Sequence, residues 1–228
     1  MALTTVVPTA AQNLSYEADN FYRSEYVAIQ PISFETKYNT TIVGNLFSRN
    51  NISRSVSSPA VVVGHPMGAV KEQAANLYAA NLVEQGFATV TLDLPFWGRS
   101  EGLHNLVSPD FYPEACSAAV DHLGTYNFVD RERIGALGIC GSVRFIISAA
   151  RIDSRIKAVA TSALYDMGAV NRNGLRRSQS VNERREIIAE ASQRRWAGVD
   201  DASLEYAIGT LKNLTSDSDV VDRDFFDY

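Results

Sequence analysis

From Tyr26 onward apolar and polar residues alternate: Val27, Ile29, Ile32 and Phe34, then Thr41, Val43 and Leu46, with Lys37 to Asn39 between the two runs. A period of two belongs to a strand with one buried face, so this stretch predicts an antiparallel pair joined by a turn. Pro59-Ala-Val-Val-Val-Gly64 is instead continuously apolar and β-branched, the pattern of a strand covered on both faces. Lys71 to Gln85 sets Ala74, Leu77, Tyr78 and Leu82 at helical spacing, and Gly86 follows where a helix C-terminal glycine belongs. The rhythm then repeats, with strands predicted over Phe87 to Leu92, Ile134 to Ile139 and Ile156 to Ala163, and helices over Pro113 to Leu123 and Ser142 to Ala150. Alternation of this kind predicts an α/β class: a mostly parallel central sheet with right-handed crossovers and helices on both faces. After Leu164 the chain turns polar and rich in Arg and Glu. Arg172 to Gly198 keeps helical spacing through Val181, Ile187, Ile188, Ala191 and Trp196, and Ala202 to Leu214 is a second helix candidate, so residues 167–214 read as a helical lid.

Composition narrows the class without changing it. With 228 residues and 46% hydrophobic content, the chain suits one large domain over 26–228, preceded by an N-terminal extension over 1–25. The net charge of -5 is spread over interleaved acids and bases, which leaves no basic footprint for nucleic acid. Arg176-Arg177 and Arg184-Arg185 fit a solvated helix face. No run reaches membrane-spanning length, and residues 1–12 lack the basic-then-apolar order of a secretory leader, so a soluble cytoplasmic protein is expected. Phe226-Asp227-Tyr228 is not a peroxisomal address of the Ser-Lys-Leu type. The Asn-X-Ser/Thr sites at Asn13, Asn39, Asn51 and Asn213 matter only on a secretory route. Cys116 and Cys140 form no disulfide framework, and their pairing is no better supported than two free thiols. His65, His104, His122 and the cysteines lack metal-ligand spacing, and no Gly-X-Gly-X-X-Gly opens a helix, so neither metal nor cofactor is expected.

Chemistry concentrates in Ile134-Gly-Ala-Leu-Gly138-Ile-Cys140-Gly141-Ser142. A buried strand runs into small-X-Cys-X-small and directly into an apolar helix. That is the layout of a nucleophile elbow, whose tight turn needs small residues two positions either side of the nucleophile. The turn sets Cys140 near a helix N-terminus, where the dipole favours an anionic sulfur. The plainer alternative is a small buried residue at a strand end. Gly64-His65-Pro66-Met67-Gly68 follows the first central strand, where a turn of this kind supplies half of an oxyanion hole. Pro66 has no N–H, so the Met67 amide is the candidate donor, paired with that of Gly141. His65 reads as a structural histidine bonding nearby backbone rather than as a general base. In Asp93-Leu-Pro-Phe96-Trp97-Gly98-Arg99-Ser-Glu-Gly102, Arg99 is positioned to pair with Asp93, and Phe96 and Trp97 either line an acyl pocket or pack the loop.

Taken together, Gly64 to Gly68 with Lys71-Glu72, the Asp93 to Gly102 loop, Gly138 to Ser142 and Tyr165-Asp166-Met-Gly168 resemble an α/β-hydrolase family of bacteria and fungi that includes fungal polyketide transferases and toxin-cluster hydrolases. The resemblance runs from about Tyr26 to Tyr228. It implies acyl transfer or hydrolysis of an ester or thioester, in some members within polyketide or toxin biosynthesis, on a small-molecule acyl substrate. An oligomer is compatible with it. Cys140 is then the nucleophile, Met67 and Gly141 form the oxyanion hole, and Asp166 is either the supporting acid or the cap of the following helix. Two departures stand out. Val143 and Arg144 follow Ser142 where members usually carry Gly-Gly. Members also continue into further strands and a late Gly-His segment, whereas all three histidines here precede the elbow, so the chain reads as C-terminally truncated with its last strands missing. The alternative function is a catalytically inactive relative acting at most as a binding protein.

Overall fold

The computed structural model describes residues 24–52, 56–103 and 106–201 of the chain. The alternating stretch folds as predicted into β1 (Val27–Glu35) and β2 (Thr41–Arg49), antiparallel from Val27↔Arg49 to Glu35↔Thr41. The remaining strands are β3 (Ser58–Gly64), β4 (Ala88–Leu92), β5 (Val129–Ile139) and β6 (Ile156–Ser162), linked by α1 (Ala74–Glu84), α2 (Phe111–Leu123) and α3 (Ser142–Ile152). They form one six-stranded sheet in the order β1-β2-β4-β3-β5-β6, parallel throughout β4-β3-β5-β6, with β2 antiparallel to β4. From β3 the chain moves to one side to make β4, then crosses back to the other side to make β5. Ligands bind at such a reversal in open α/β sheets, at the carboxyl ends of the strands.

The pleat decides which residues meet which helices. Val62, Val90, Ala136 and Ile134 belong to a buried cluster with Ala115, Ala119 and Leu123 of α2 and Ile146 and Ala149 of α3. Their neighbours Val63, Leu137 and Ile139 turn to the opposite face and pack with Ala75, Ala79 and Val83 of α1. The apolar run of β3 is therefore buried on both faces. β6 behaves differently: Ile156 is buried, but Lys157 to Thr161 are exposed although four of the strand's seven residues are apolar. Among the described residues β6 pairs only with β5 and ends the sheet.

The chain divides into two compact units at Leu164. In the second, α4 (Met167–Asn173) and α5 (Val181–Asp201) are separate helices, so the helix expected from Arg172 begins instead at Val181. Ser180 opens α5 with a reciprocal capping box: its Oγ accepts from the Glu183 N–H at 3.2 Å while the Glu183 carboxylate accepts from the Ser180 N–H at 2.7 Å. The helix expected over Ala202 to Leu214 and most of the N-terminal extension lie outside the described residues. No helix among the described residues is long and apolar enough to cross a membrane.

Candidate active site

Registration of the strands brings the candidate segments to one edge. Gly64 of β3 lies beside Leu92 of β4 and Gly138 of β5, and Ile139 lies beside Ser162 of β6. Met67 and Gly141 each follow the registered pair Gly64↔Gly138 by the same number of residues, so both turns leave the sheet side by side at its carboxyl edge.

Cys140 takes φ 53, a left-handed conformation that a residue with a Cβ rarely adopts, and only a turn fixed on all sides holds it there. Its N–H donates to the Ser162 carbonyl at 2.9 Å, tying the elbow to β6. A Cβ added at Gly138 would sit 2.5 Å from Cα and 2.8 Å from N of Val143, so the departing helix leaves room only for glycine. The Ser142 hydroxyl accepts from the Ile139 N–H at 2.9 Å and donates to the Ile139 carbonyl at 3.0 Å, closing the turn on itself. The sequence marks Ser142 only as small; its role as a clasp emerges from the fold. Ser142→Ala is expected to leave buried backbone groups unpaired and to lower stability by about 1–3 kcal/mol, read from urea unfolding. Cys140 itself is half-buried against the apolar cluster beneath α1. Cys116 is buried within the sheet–helix core, and burial pushes its thiol up to about 12.

His65 is fully buried with both ring nitrogens engaged. Nε2 accepts from the Leu94 N–H at 3.0 Å, which puts the proton on Nδ1, and Nδ1–H donates to the Pro66 carbonyl at 2.7 Å. This is the structural role expected for it. In a trans peptide the carbonyl and the following N–H point in opposite directions, so anchoring the Pro66 oxygen inward turns the Met67 N–H away from His65. Neither the Met67 nor the Gly141 amide donates to any group among the described residues.

Burial holds the His65 pKa below its ordinary value, with neighbouring Asp93 opposing the shift. A histidine whose folded pKa is depressed contributes stability that is complete above its unfolded value near 6.5 and is lost as pH falls toward the folded value. Urea midpoints are therefore expected to fall between pH 7.5 and pH 5. The slope attributable to His65 is at most about 1.4 kcal/mol per pH unit and should disappear in His65→Gln. His122 shifts in the same direction through burial and supplies the slope that survives.

His122 bonds Tyr126 at 3.0 Å and stacks on Phe34 in the last turn of α2. The chain passes from there into the start of β5, so His122 lies at the sheet edge opposite the elbow. His104 lies outside the described residues. The loop after β4 corrects one expectation and decides another that was open. Arg99 reaches Asp93 through its backbone N–H, at 3.0 Å, while the ionic partner of Asp93 is the buried ammonium of Lys71 at 2.7 Å. The guanidinium loses this position because Lys71 arrives from the neighbouring turn with its stem already buried. Trp97 is buried and donates its indole N–H to the Tyr112 hydroxyl at 2.7 Å, so it packs the loop instead of lining a pocket; Phe96 packs at a tilt against Phe111. Asp166 belongs to the second unit, where it caps α4 by accepting from the Ala169 N–H at 2.8 Å. Asp166→Ala is expected to cost about 1 kcal/mol of local helix stability, visible as faster amide exchange in α4.

The strand order, the elbow and the turn after β3 define the α/β-hydrolase fold. No protein-family model matches the chain. The uncharacterised protein PA2218 of Pseudomonas aeruginosa is 36% identical over 211 residues, 90% of this chain and 57% of that protein. Its crystal structure superposes with a TM-score of 0.80 at 35% identity, covering 92% of this chain and 65% of the other. The uncharacterised protein YcjY of Escherichia coli is 39% identical over 153 residues, 67% of this chain and 49% of that protein. The α/β hydrolase GrgF from Penicillium sp. sh18 shares the fold at a TM-score of 0.63 and 21% identity, over 77% of this chain and 56% of the other. The chain thus spans from 49% to 65% of the length of these proteins.

Proposed function

We propose that the chain belongs to a hydrolase or acyltransferase acting on esters or thioesters of small-molecule acyl substrates, with Cys140 as its nucleophile. The observation that carries this is the left-handed Cys140 at the carboxyl edge of the sheet, with the Met67 and Gly141 amides on the two adjacent turns donating to no group among the described residues. In the reaction so assigned, the sulfur of the Cys140 thiolate adds to the acyl carbon. The carbonyl π electrons move to oxygen, and the resulting oxyanion accepts from the Met67 and Gly141 N–H groups. Its collapse expels the alkoxide or thiolate and leaves an acyl thioester on Cys140, which water or an acceptor then releases. The sequence resemblance supports Asp166 as the acid and residues 167–214 as the lid; in the structure Asp166 caps α4. A setting in fungal polyketide or toxin metabolism rests on the sequence resemblance.

A specific observation favours a second reading, a non-catalytic binding protein. Both described histidines are committed to other bonds, one at the wrong edge of the sheet, so the proton acceptor that activates a thiol is not among them. Intact-mass analysis after incubation with short-chain p-nitrophenyl esters and acyl thioesters separates the two readings. A single acyl adduct on Cys140, with buried Cys116 unmodified, supports the enzyme; equal or absent labelling supports the binder.

A further inference from the structure

The Met67 amide sits on a turn that makes two separate attachments to the neighbouring loop. At its start His65 bonds the Leu94 N–H. At its end stands an ion pair with almost no access to solvent: Lys71 is 1% and Asp93 0% exposed. The Lys71 ammonium donates to Asp93 Oδ2 at 2.7 Å, and the Lys71 backbone N–H donates to Asp93 Oδ1 at 2.9 Å. Asp93 Oδ2 also accepts the Arg99 N–H, and Glu72 meets the same ammonium at 2.6 Å. Gly98, at φ 54, passes so close that a Cβ there would lie 2.4 Å from the Asp93 carboxylate. The carboxylate is thus enclosed by the two loops it joins.

A buried ion pair is a poor means of gaining stability, because the cost of removing two charges from water offsets most of their attraction and apolar residues of equal volume often serve as well. What it provides is direction. Each bond to Asp93 fixes a donor at a set angle, and both attachments of the 65–71 turn end on consecutive residues, Asp93 and Leu94. Between them the Met67 peptide cannot shift along the sheet edge without breaking a charged bond.

We propose that Lys71 and Asp93 are positioning residues for acyl transfer, acting through the Met67 amide to hold it where an oxyanion develops. This rests on the reading of Cys140 as an acyl-accepting nucleophile. Neither side chain touches substrate. The turn is rigid before substrate arrives, and the pair's contribution falls on steps that pass through a tetrahedral oxyanion.

Two reagents that attack the same sulfur test this in the 228-residue chain. p-Nitrophenyl acetate acylates through an oxyanion, whereas iodoacetamide alkylates by direct displacement at carbon and forms none. Lys71→Met and Asp93→Asn are expected to slow acylation of Cys140 by about 10- to 100-fold, below the full loss of one oxyanion donor, with alkylation changed less than about twofold. The Lys71→Met/Asp93→Leu double variant, which removes both charges together, guards against misfolding and is expected to acylate as slowly while retaining a cooperative urea transition. Parallel loss of both reactions, or acylation at the wild-type rate in the folded double variant, overturns the proposal. If wild-type Cys140 is not acylated at all, the enzyme reading fails by itself. The positioning claim is then read from hydrogen exchange of the Leu94 amide, which His65 at the start of the turn accepts, expected to accelerate about tenfold or more in Lys71→Met while β3 amides stay unchanged. Unchanged exchange at Leu94 overturns it.

Discussion

Cys140→Ala is expected to abolish formation of the acyl adduct and to lower turnover of an activated ester by about a thousandfold or more, the scale on which removal of a catalytic nucleophile acts. Cys140→Ser is expected to be almost as inactive, and this result is the more informative. Thiols are a few per cent ionised at neutral pH and strongly nucleophilic, whereas a hydroxyl needs an adjacent base to react. His65 is engaged through both nitrogens and His122 lies at the opposite sheet edge, so a serine at the elbow has no described histidine to take its proton. Turnover in the serine variant within about tenfold of wild type would require a general base held at the elbow and would contradict an intrinsically reactive thiol as the source of activity.

Gly138→Ala is expected to have the largest effect on stability, about 2–4 kcal/mol, measured as a lowered urea midpoint. The new methyl group meets backbone atoms of Val143, and a backbone at the start of a packed helix cannot rotate out of the way as a side-chain tip does. Val143 is fully buried and Ile146, one turn on, is buried as well, so shifting α3 disturbs the core on that face. Val143→Ala is therefore not expected to rescue Gly138→Ala, because the clashing Cα and N remain. Rescue by that second change would show that the collision lies with the valine side chain.

Much of this organisation is legible in the sequence because it is local. The alternation from Tyr26 and the apolar run before Gly64 are written in consecutive residues, and so is the elbow, which places its small residues within two positions of Cys140. Where the reading falls short, distance along the chain is the reason. β5 begins at Val129, earlier than predicted; the charged Asp130-Arg131-Glu132-Arg133, exposed from Arg131 on, carries no apolar pattern by which a strand could be read. α1 starts at Ala74, not Lys71, because Lys71 has given both its amide and its ammonium to Asp93. The choice between Arg99 and Lys71 as that aspartate's partner depends on how two loops meet, which spacing does not reveal. The apolar residues of β6 predict a covered strand, but cover is a property of neighbours.

That last strand has a consequence for how long the reactive geometry survives. Local opening proceeds most easily where backbone bonds are exposed and few apolar contacts must be broken, so within the described residues protection should decline across the sheet from β3 toward β6. The elbow leans on the weak side, since the Cys140 N–H is held by Ser162 at the end of β6. Each time that strand frays, the strained turn loses its brace and can relax toward an ordinary backbone angle. Among the described residues, the aim of the sulfur is thus tied to the pairing of β6 with β5.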